Sequence, residues 1–172
     1  MKKYTGKTST ALIPFPPNEI LLVKRDTVPF KSYWALPGGR MEPNEAIEQT
    51  TRLVRYFSSI AKGRIMECSP HFSGCGMIDS CRGDILIGDT LYEIKAGDRN
   101  FRSLDIRQLL VYAALNSESG EKNVQNVGLF NPRTGVSVEV SLDELCFEVS
   151  GKASGDLLAD IVRVISNGEM SR

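Results

Sequence analysis

The order of elements along the chain predicts an α/β domain, and three features carry it. Ile85-Leu86-Ile87 and Leu91-Tyr92-Glu93-Ile94-Lys95 flank Gly88-Asp89, a two-residue loop whose leading glycine signals a type II′ hairpin turn. Residues 45–61 and 104–115 each carry apolar side chains at helical spacing, one segment before the hairpin and one after it. Val124–Phe130 then has the apolar, β-branched character of another strand. With a strand at Arg64–Cys68, the order over 45–140 is helix, three strands, helix, strand.

The bulk numbers bound the function classes. At 172 residues the chain can bury a proper core. Its 21 Lys and Arg balance 21 Asp and Glu, so any nucleic-acid contact must come from a local basic patch, and bulk charge argues against a coating or packaging role. No apolar run approaches membrane-spanning length, and the Met-Lys-Lys start lacks the apolar stretch of a signal peptide. The expected compartment is the cytoplasm, with no membrane partner.

Taken from the N-terminus, Thr10-Ala-Leu-Ile13 and Glu19–Arg25 have strand patterns joined through Pro14, Pro16 and Pro17. Trp34-Ala-Leu-Pro-Gly-Gly39 follows, and Gly39 and Glu45 stand in Gly-x5-Glu spacing. Over about residues 8–49, ILLVKR, a Pro-Phe pair and WALPGGRMEPNEAIEQ resemble the first half of a Nudix hydrolase and the opening of its signature loop. That family carries an Arg-Glu and then a Glu-Glu pair on the next helix to bind metal. Here the run is Arg52-Leu-Val-Arg-Tyr-Phe-Ser-Ser59, with no acid after Glu48. Residues 1–44 are therefore expected to be a Nudix-like strand-and-loop extension acting as scaffold. Nucleotide pyrophosphohydrolysis is a second alternative function.

Asn44 can cap a helix from Glu45 to about Ala61, ended by Gly63, with Ile47, Thr50, Val54, Phe57 and Ala61 as its apolar stripe. Glu45 lies at the edge of that stripe and is an additional metal-ligand candidate, although a first-turn Glu commonly just favours the helix dipole. After the strand Arg64–Cys68 comes a Gly-, Ser- and Cys-rich loop. Gly74 and Gly76 in it suggest tight turns or close backbone approach. Cys68, His71, Cys75 and Cys81 could in principle supply four zinc ligands. Their spacing matches no common zinc module, and reduced cysteines are the ordinary cytosolic condition.

The hairpin is the sharpest functional signal. A II′ turn at Gly88-Asp89 pairs Ile87 with Thr90, Leu86 with Leu91 and Ile85 with Tyr92, and brings Asp84 opposite Glu93. Lys95 falls on the same side as Glu93 by strand alternation. Facing carboxylates repel, so the arrangement calls for a positive charge between them, a divalent cation with Lys95 nearby. Ser103 can cap the next helix, Leu104–Leu115, where Gln108 interrupts the face shared by Leu104, Val111 and Leu115. A glutamine there needs partners for both ends of its amide, which aims it at a polar site beside the sheet. Residues 116–123 form a solvated linker, and strands at 124–130 and 135–140 flank Asn131-Pro-Arg-Thr. Ser141–Leu145 reads as a turn or helix start, Cys146–Val149 as a strand, and Asp156–Ile165 as an amphipathic helix packing on the core.

Gly83-Asp84, Glu93-Ile94-Lys95 and Gln108 in a helix continuing Leu-Leu-Val-Tyr resemble the PD-(D/E)XK nuclease superfamily over about residues 45–140. The Gln-x3-Tyr helix resembles its RecB-like branch. Gly83 stands where the motif has Pro. The resemblance implies a restriction-endonuclease-like core, a mixed sheet flanked by helices in αβββαβ order. To this are added N-terminal strands and a C-terminal helix, giving 1–44 as extension, 45–150 as core and 151–172 as docking helix. It implies a Mg²⁺- or Mn²⁺-dependent nuclease acting on DNA in defence or repair, with Asp84, Glu93, Lys95 and Gln108 catalytic. Asp84, Glu93 and the Ile94 carbonyl would ligate metal, and Arg99, Arg102 and Arg107 would contact the nucleic-acid backbone. The first alternative is a catalytically silent or partner-dependent module of the same fold in a larger complex, and the expected protein partners are a second copy in a homodimer or a larger ATPase- or helicase-type chain.

Overall fold

The computed structural model describes residues 45–76 and 78–167, together with six short strands between residues 8 and 40. The chain divides into two compact units, Met1–Phe57 and Ser58–Arg172. That division falls inside a helix, Glu45–Ala61, and the last helix, Ser154–Asn167, belongs to the second unit.

In the first unit, β1 (Thr8–Thr10), β2 (Pro14–Phe15), β3 (Glu19–Ile20), β4 (Val23–Lys24), β5 (Trp34–Ala35) and β6 (Gly38–Arg40) pair as β1 with β6, β2 with β3 and β4 with β5, all antiparallel. The cap expected at Asn44, and the remaining residues of the Nudix-like stretch up to 44, lie outside the described residues. Helix α1 (Glu45–Ala61) has the expected bounds. Its buried face is turned from the expected stripe: Ile47 and Val54 are exposed, while Gln49 and Phe57 are buried. Tyr56 and Phe57 stack edge to face, and the large aromatic ring, with the most area to bury, sets the inward side.

The second unit is α/β, a mixed five-stranded sheet flanked by helices. Its strands are β7 (Met66–Cys68), β10 (Ile85–Ile87), β11 (Thr90–Ile94), β12 (Asn126–Asn131) and β13 (Val136–Ser141), in the order β13-β12-β11-β10-β7. Between β7 and β10 the loop makes a separate two-stranded pairing, β8 (His71–Phe72) with β9 (Cys81–Arg82). The β10–β11 register is Ile85↔Tyr92, Leu86↔Leu91 and Ile87↔Thr90, as the two-residue turn requires. Gly88 takes φ +61°, the backbone state that a II′ turn asks of its first central residue.

β11 and β12 run parallel, so the chain must cross over between them. Helix α2 (Ser103–Ser119) makes that connection, longer at both ends than the 104–115 pattern. Leu86 and Leu91 from the sheet pack with Leu109, Ala113 and Leu115 of α2 and with Leu158 of α4 (Ser154–Asn167) in the core of this unit. Leu104, expected on the inner face of α2, is 68% exposed.

Cys146–Val149 is helical, not a strand. It belongs to α3 (Leu142–Ser150), whose N-cap Ser141 Oγ accepts the Glu144 N–H. Leu142 and Cys146, four apart, are its buried residues, while Phe147 and Val149 are exposed. The cap and the four-residue spacing outweigh the β-branched content of the segment. Among the described residues no helix is long and apolar enough to cross a membrane.

Candidate active site

Asp84 sits at the mouth of β10, where the main chain is held on both sides. Gly83 N donates to Pro70 O at 3.0 Å, and Ser69 N donates to Asp84 O at 2.7 Å. A Cβ at residue 83 would lie 3.1 Å from Leu91 and 3.2 Å from the Phe72 ring, so this close approach favours glycine before the acid. Asp84 Oδ2 accepts the Ile94 N–H at 2.7 Å, which fixes the carboxylate against β11 near Glu93. Ile94 thus meets the site through its N–H, beside the carbonyl expected to ligate metal.

Glu93 and Lys95 point to the side of the sheet covered by α2. Glu93 is 5% exposed. Its Oε1 accepts from Lys95 Nζ and from Gln108 Nε2, each at 2.8 Å. Gln108 Oε1 accepts from Lys95 Nζ at 2.7 Å, and Gln108 Nε2 donates also to the Tyr112 hydroxyl at 2.6 Å. Both amide protons and the carbonyl of Gln108 are therefore engaged, as a polar group facing a core requires. Glu93 Oε2, in contrast, is buried and receives no N–H or hydroxyl donor among the described residues, and the Glu93 carboxyl shares a hydrogen bond with that of Asp84.

The electrostatics follow from burial. Glu93 is pushed up to about 7, first by burial and then by the Asp84 charge, with Lys95 pulling the other way. Asp84 is also raised, by burial, against the opposing pull of the Ile94 N–H and Lys95. The Asp84 charge disfavours ionisation of Glu93, while a hydrogen bond from Glu93 favours the Asp84 carboxylate, so the metal-free pair shares a proton, and the two buried carboxyls form a hard-oxygen donor pair that a divalent cation fits. Among the described residues no group of three or more His, Cys, Asp or Glu is arranged to hold a metal. Asp84 and Glu93 are a pair, and further ligands would have to come from main chain, water or substrate.

Asp105 is the residue that the sequence pattern passes over. It is 2% exposed, one turn before Gln108 on the same helix face. Its carboxylate takes both ends of the Arg99 guanidinium, at 2.7 and 2.8 Å, and the Arg102 N–H at 2.9 Å, and lies 3.9 Å from Lys95 Nζ. Arg99 holds the Asp105 carboxyl down to about 2. Asp105, Gln108 and Tyr112 form a polar stripe at helical spacing, and that stripe was the signal available in the sequence. The start of α2 is accordingly satisfied by Asp105 reaching back to Arg102, the observed N-cap, and not by Ser103.

The other candidates are placed as follows. Arg102 and Arg107 are exposed. Glu45 lies in the first unit, where its carboxylate accepts from Gln49 Nε2 at 3.2 Å. Cys68, Cys75 and Cys81 are free thiols. Cys75 Sγ lies 3.4 Å from Ser166 Oγ, and His71 and Cys81 sit on the paired strands β8 and β9. Among the described residues these cysteines and His71 form no metal-holding group. Comparison with protein-family models, curated proteins and solved structures gave no match.

Proposed function

We propose that this protein is a metal-dependent nuclease of PD-(D/E)XK type that hydrolyses phosphodiester bonds of DNA. One observation carries the proposal: the buried carboxyl pair of Glu93 and Asp84, in which Glu93 Oε2 receives no N–H or hydroxyl from any other described residue, with Lys95 held on the other Glu93 oxygen. Asp84 and Glu93 would hold Mg²⁺ or Mn²⁺ through hard oxygens. A bound divalent ion there supplies Lewis acidity and lowers the pKa of a coordinated water.

The side chains of the chain then have distinct tasks. Lys95 offers an ammonium beside the carboxylate pair, where it orients the attacking water and stabilises charge developing on the phosphate oxygens. Gln108 holds Lys95 and Glu93 in one geometry, and Tyr112 fixes the Gln108 amide. Water oxygen bonds to phosphorus as the bond to the leaving sugar oxygen breaks, giving a phosphate monoester and a free hydroxyl.

The test is incubation with plasmid, linear and single-stranded DNA in Mg²⁺, Mn²⁺ or EDTA. Cleavage is expected only with metal and is expected to be lost in Asp84→Ala and Lys95→Ala. No cleavage of any substrate, or wild-type cleavage by both variants, overturns the assignment.

A further inference from the structure

The loop leaving β11 is unusually constrained for a polar connection. Asn131, 2% exposed at the end of β12, donates through Nδ2 to Gly97 O at 2.9 Å and to Arg99 O at 3.4 Å, and accepts the Arg133 N–H at 2.9 Å through Oδ1. It ties together the loops at the C-terminal ends of two adjacent parallel strands, a position where open α/β sheets favour ligand binding. On the other side of the loop, Asp105 takes the guanidinium of Arg99.

The hydrogen bonds of Arg99 can be counted. A guanidinium has five N–H groups. Nη1 uses two, on Asp105 Oδ2 and Asn100 O, and Nη2 uses one, on Asp105 Oδ1. The Nε–H and the second Nη2–H remain, and they lie parallel on one edge, the fork that matches two oxygens of a phosphate. The Arg99 side chain is 32% exposed. Gly97 leaves room at that edge: a Cβ there would stand 4.0 Å from Nε.

Resting on the nuclease function above, we propose that Arg99 is a rigid phosphate-binding fork, with Asp105 as its positioning residue, that takes the DNA phosphate next to the one cleaved. The neighbouring phosphate is assigned because the Asp105 carboxylate stands between Lys95 and Arg99. Asp105 stands 3.9 Å from Lys95 and 2.7 Å from Arg99, so the fork lies one carboxylate away from Lys95, and its hold on a phosphate comes from the two N–H groups that Asp105 leaves free. Arg102 and Arg107 are exposed at the surface and have no such buried clamp.

The experiment uses a single-stranded DNA oligonucleotide, with binding read in Ca²⁺ and cleavage in Mn²⁺, and with methylphosphonate placed at one linkage at a time. In the wild type, one methylphosphonate position is expected to weaken binding about tenfold. Arg99→Gln is expected to become indifferent to that position and to show a KM about tenfold higher, with kcat little changed. Arg99→Lys keeps the charge but not the fork and should resemble Arg99→Gln. Gly97→Val covers the edge while leaving the Arg99–Asp105 pair intact, and it should do the same without loss of stability.

Wild-type KM and an unchanged methylphosphonate pattern in these variants, with cleavage intact, overturn the fork and leave the nuclease assignment standing. Arg99-dependent phosphate sensitivity without metal-dependent cleavage does the reverse. Absence of DNA binding overturns both.

Discussion

Gln108 Oε1 accepts a hydrogen bond from Lys95 Nζ at 2.7 Å, so the lysine is fixed by a helix and not only by the strand that carries it. The same amide donates to Glu93, on the same strand as Lys95. One side chain therefore sets the spacing between a carboxylate and an ammonium that extended-strand geometry alone leaves adjustable through two long side chains.

Replacing Gln108 with Ala should uncouple the pair. Lys95 loses one acceptor, Glu93 Oε1 loses one donor, and the Tyr112 hydroxyl loses its partner. We expect metal-dependent cleavage to fall by about two orders of magnitude, in the range seen when a positioned polar group is lost. Stability should drop by about 1–2 kcal/mol from the unpaired buried groups. Urea unfolding and single-turnover cleavage read the two effects separately, and wild-type rates in Gln108→Ala would remove Gln108 from the site.

The carboxylate pair predicts a pH dependence for the metal-free protein. Glu93 rises from its ordinary 4.5 to about 7, so between those values the folded state holds a proton that the unfolded chain releases. Its contribution to stability is complete below 4.5 and is lost as the pH climbs through 7, with an upper bound of about 3 kcal/mol. Asp105 has the opposite sign: lowered from 3.8 to about 2, it contributes above 3.8 and loses that contribution as the pH falls through 2. Melting in EDTA should therefore show a declining Tm from pH 5 to pH 8 that flattens in Glu93→Gln. A wild-type Tm that holds constant over that interval contradicts the buried pair.

The parts of the site legible in sequence are those set by local geometry. The register Ile85↔Tyr92 follows from two residues at the turn, and the side of Lys95 follows from strand alternation. Gln108 showed itself as a polar break in an apolar pattern. Asp105 was not legible because a charged residue in the first turn of a helix normally faces solvent, and its burial depends on Arg99 arriving from the preceding loop. Cys146–Val149 misleads for a different reason: Phe147 and Val149 carry β propensity, and only the Ser141 cap and the packing of Leu142 and Cys146 against the core make the segment helical. The turned face of α1 likewise depends on packing, not on composition.

Gly128 should be intolerant of substitution. It lies between Tyr92 on β11 and Glu139 on β13, and a Cβ there would stand 2.6 Å from the Tyr92 ring. Tyr92 is fully buried, and its hydroxyl reaches across the glycine to donate to Glu139. Gly128→Ala must displace the ring and break that bond, at a cost of about 2–3 kcal/mol for overpacking. Urea denaturation should give a lower midpoint with an unchanged m value. A shift under about 0.5 kcal/mol, the scale of an ordinary surface change, would show that the ring does not rest on the glycine.

Asp84→Asn separates function from stability. The asparagine carbonyl can still accept the Ile94 N–H that Asp84 Oδ2 now takes at 2.7 Å, so the backbone contact survives. The charge that opposes Glu93 does not. In EDTA at pH 8, where Glu93 as well as Asp84 is ionised, the variant should melt a few degrees higher than wild type, because a buried like-charge pair is relieved. Mn²⁺ should raise the wild-type Tm by mass action and leave the variant unmoved, since an ion that binds only the folded state stabilises in proportion to its affinity. Cleavage should be lost. This pattern, stabilised without metal and inert to it, belongs to a carboxylate kept for a cation. A variant that melts lower in EDTA, or that gains as much from Mn²⁺ as wild type, would instead assign Asp84 to holding β10 against β11 through the Ile94 bond alone.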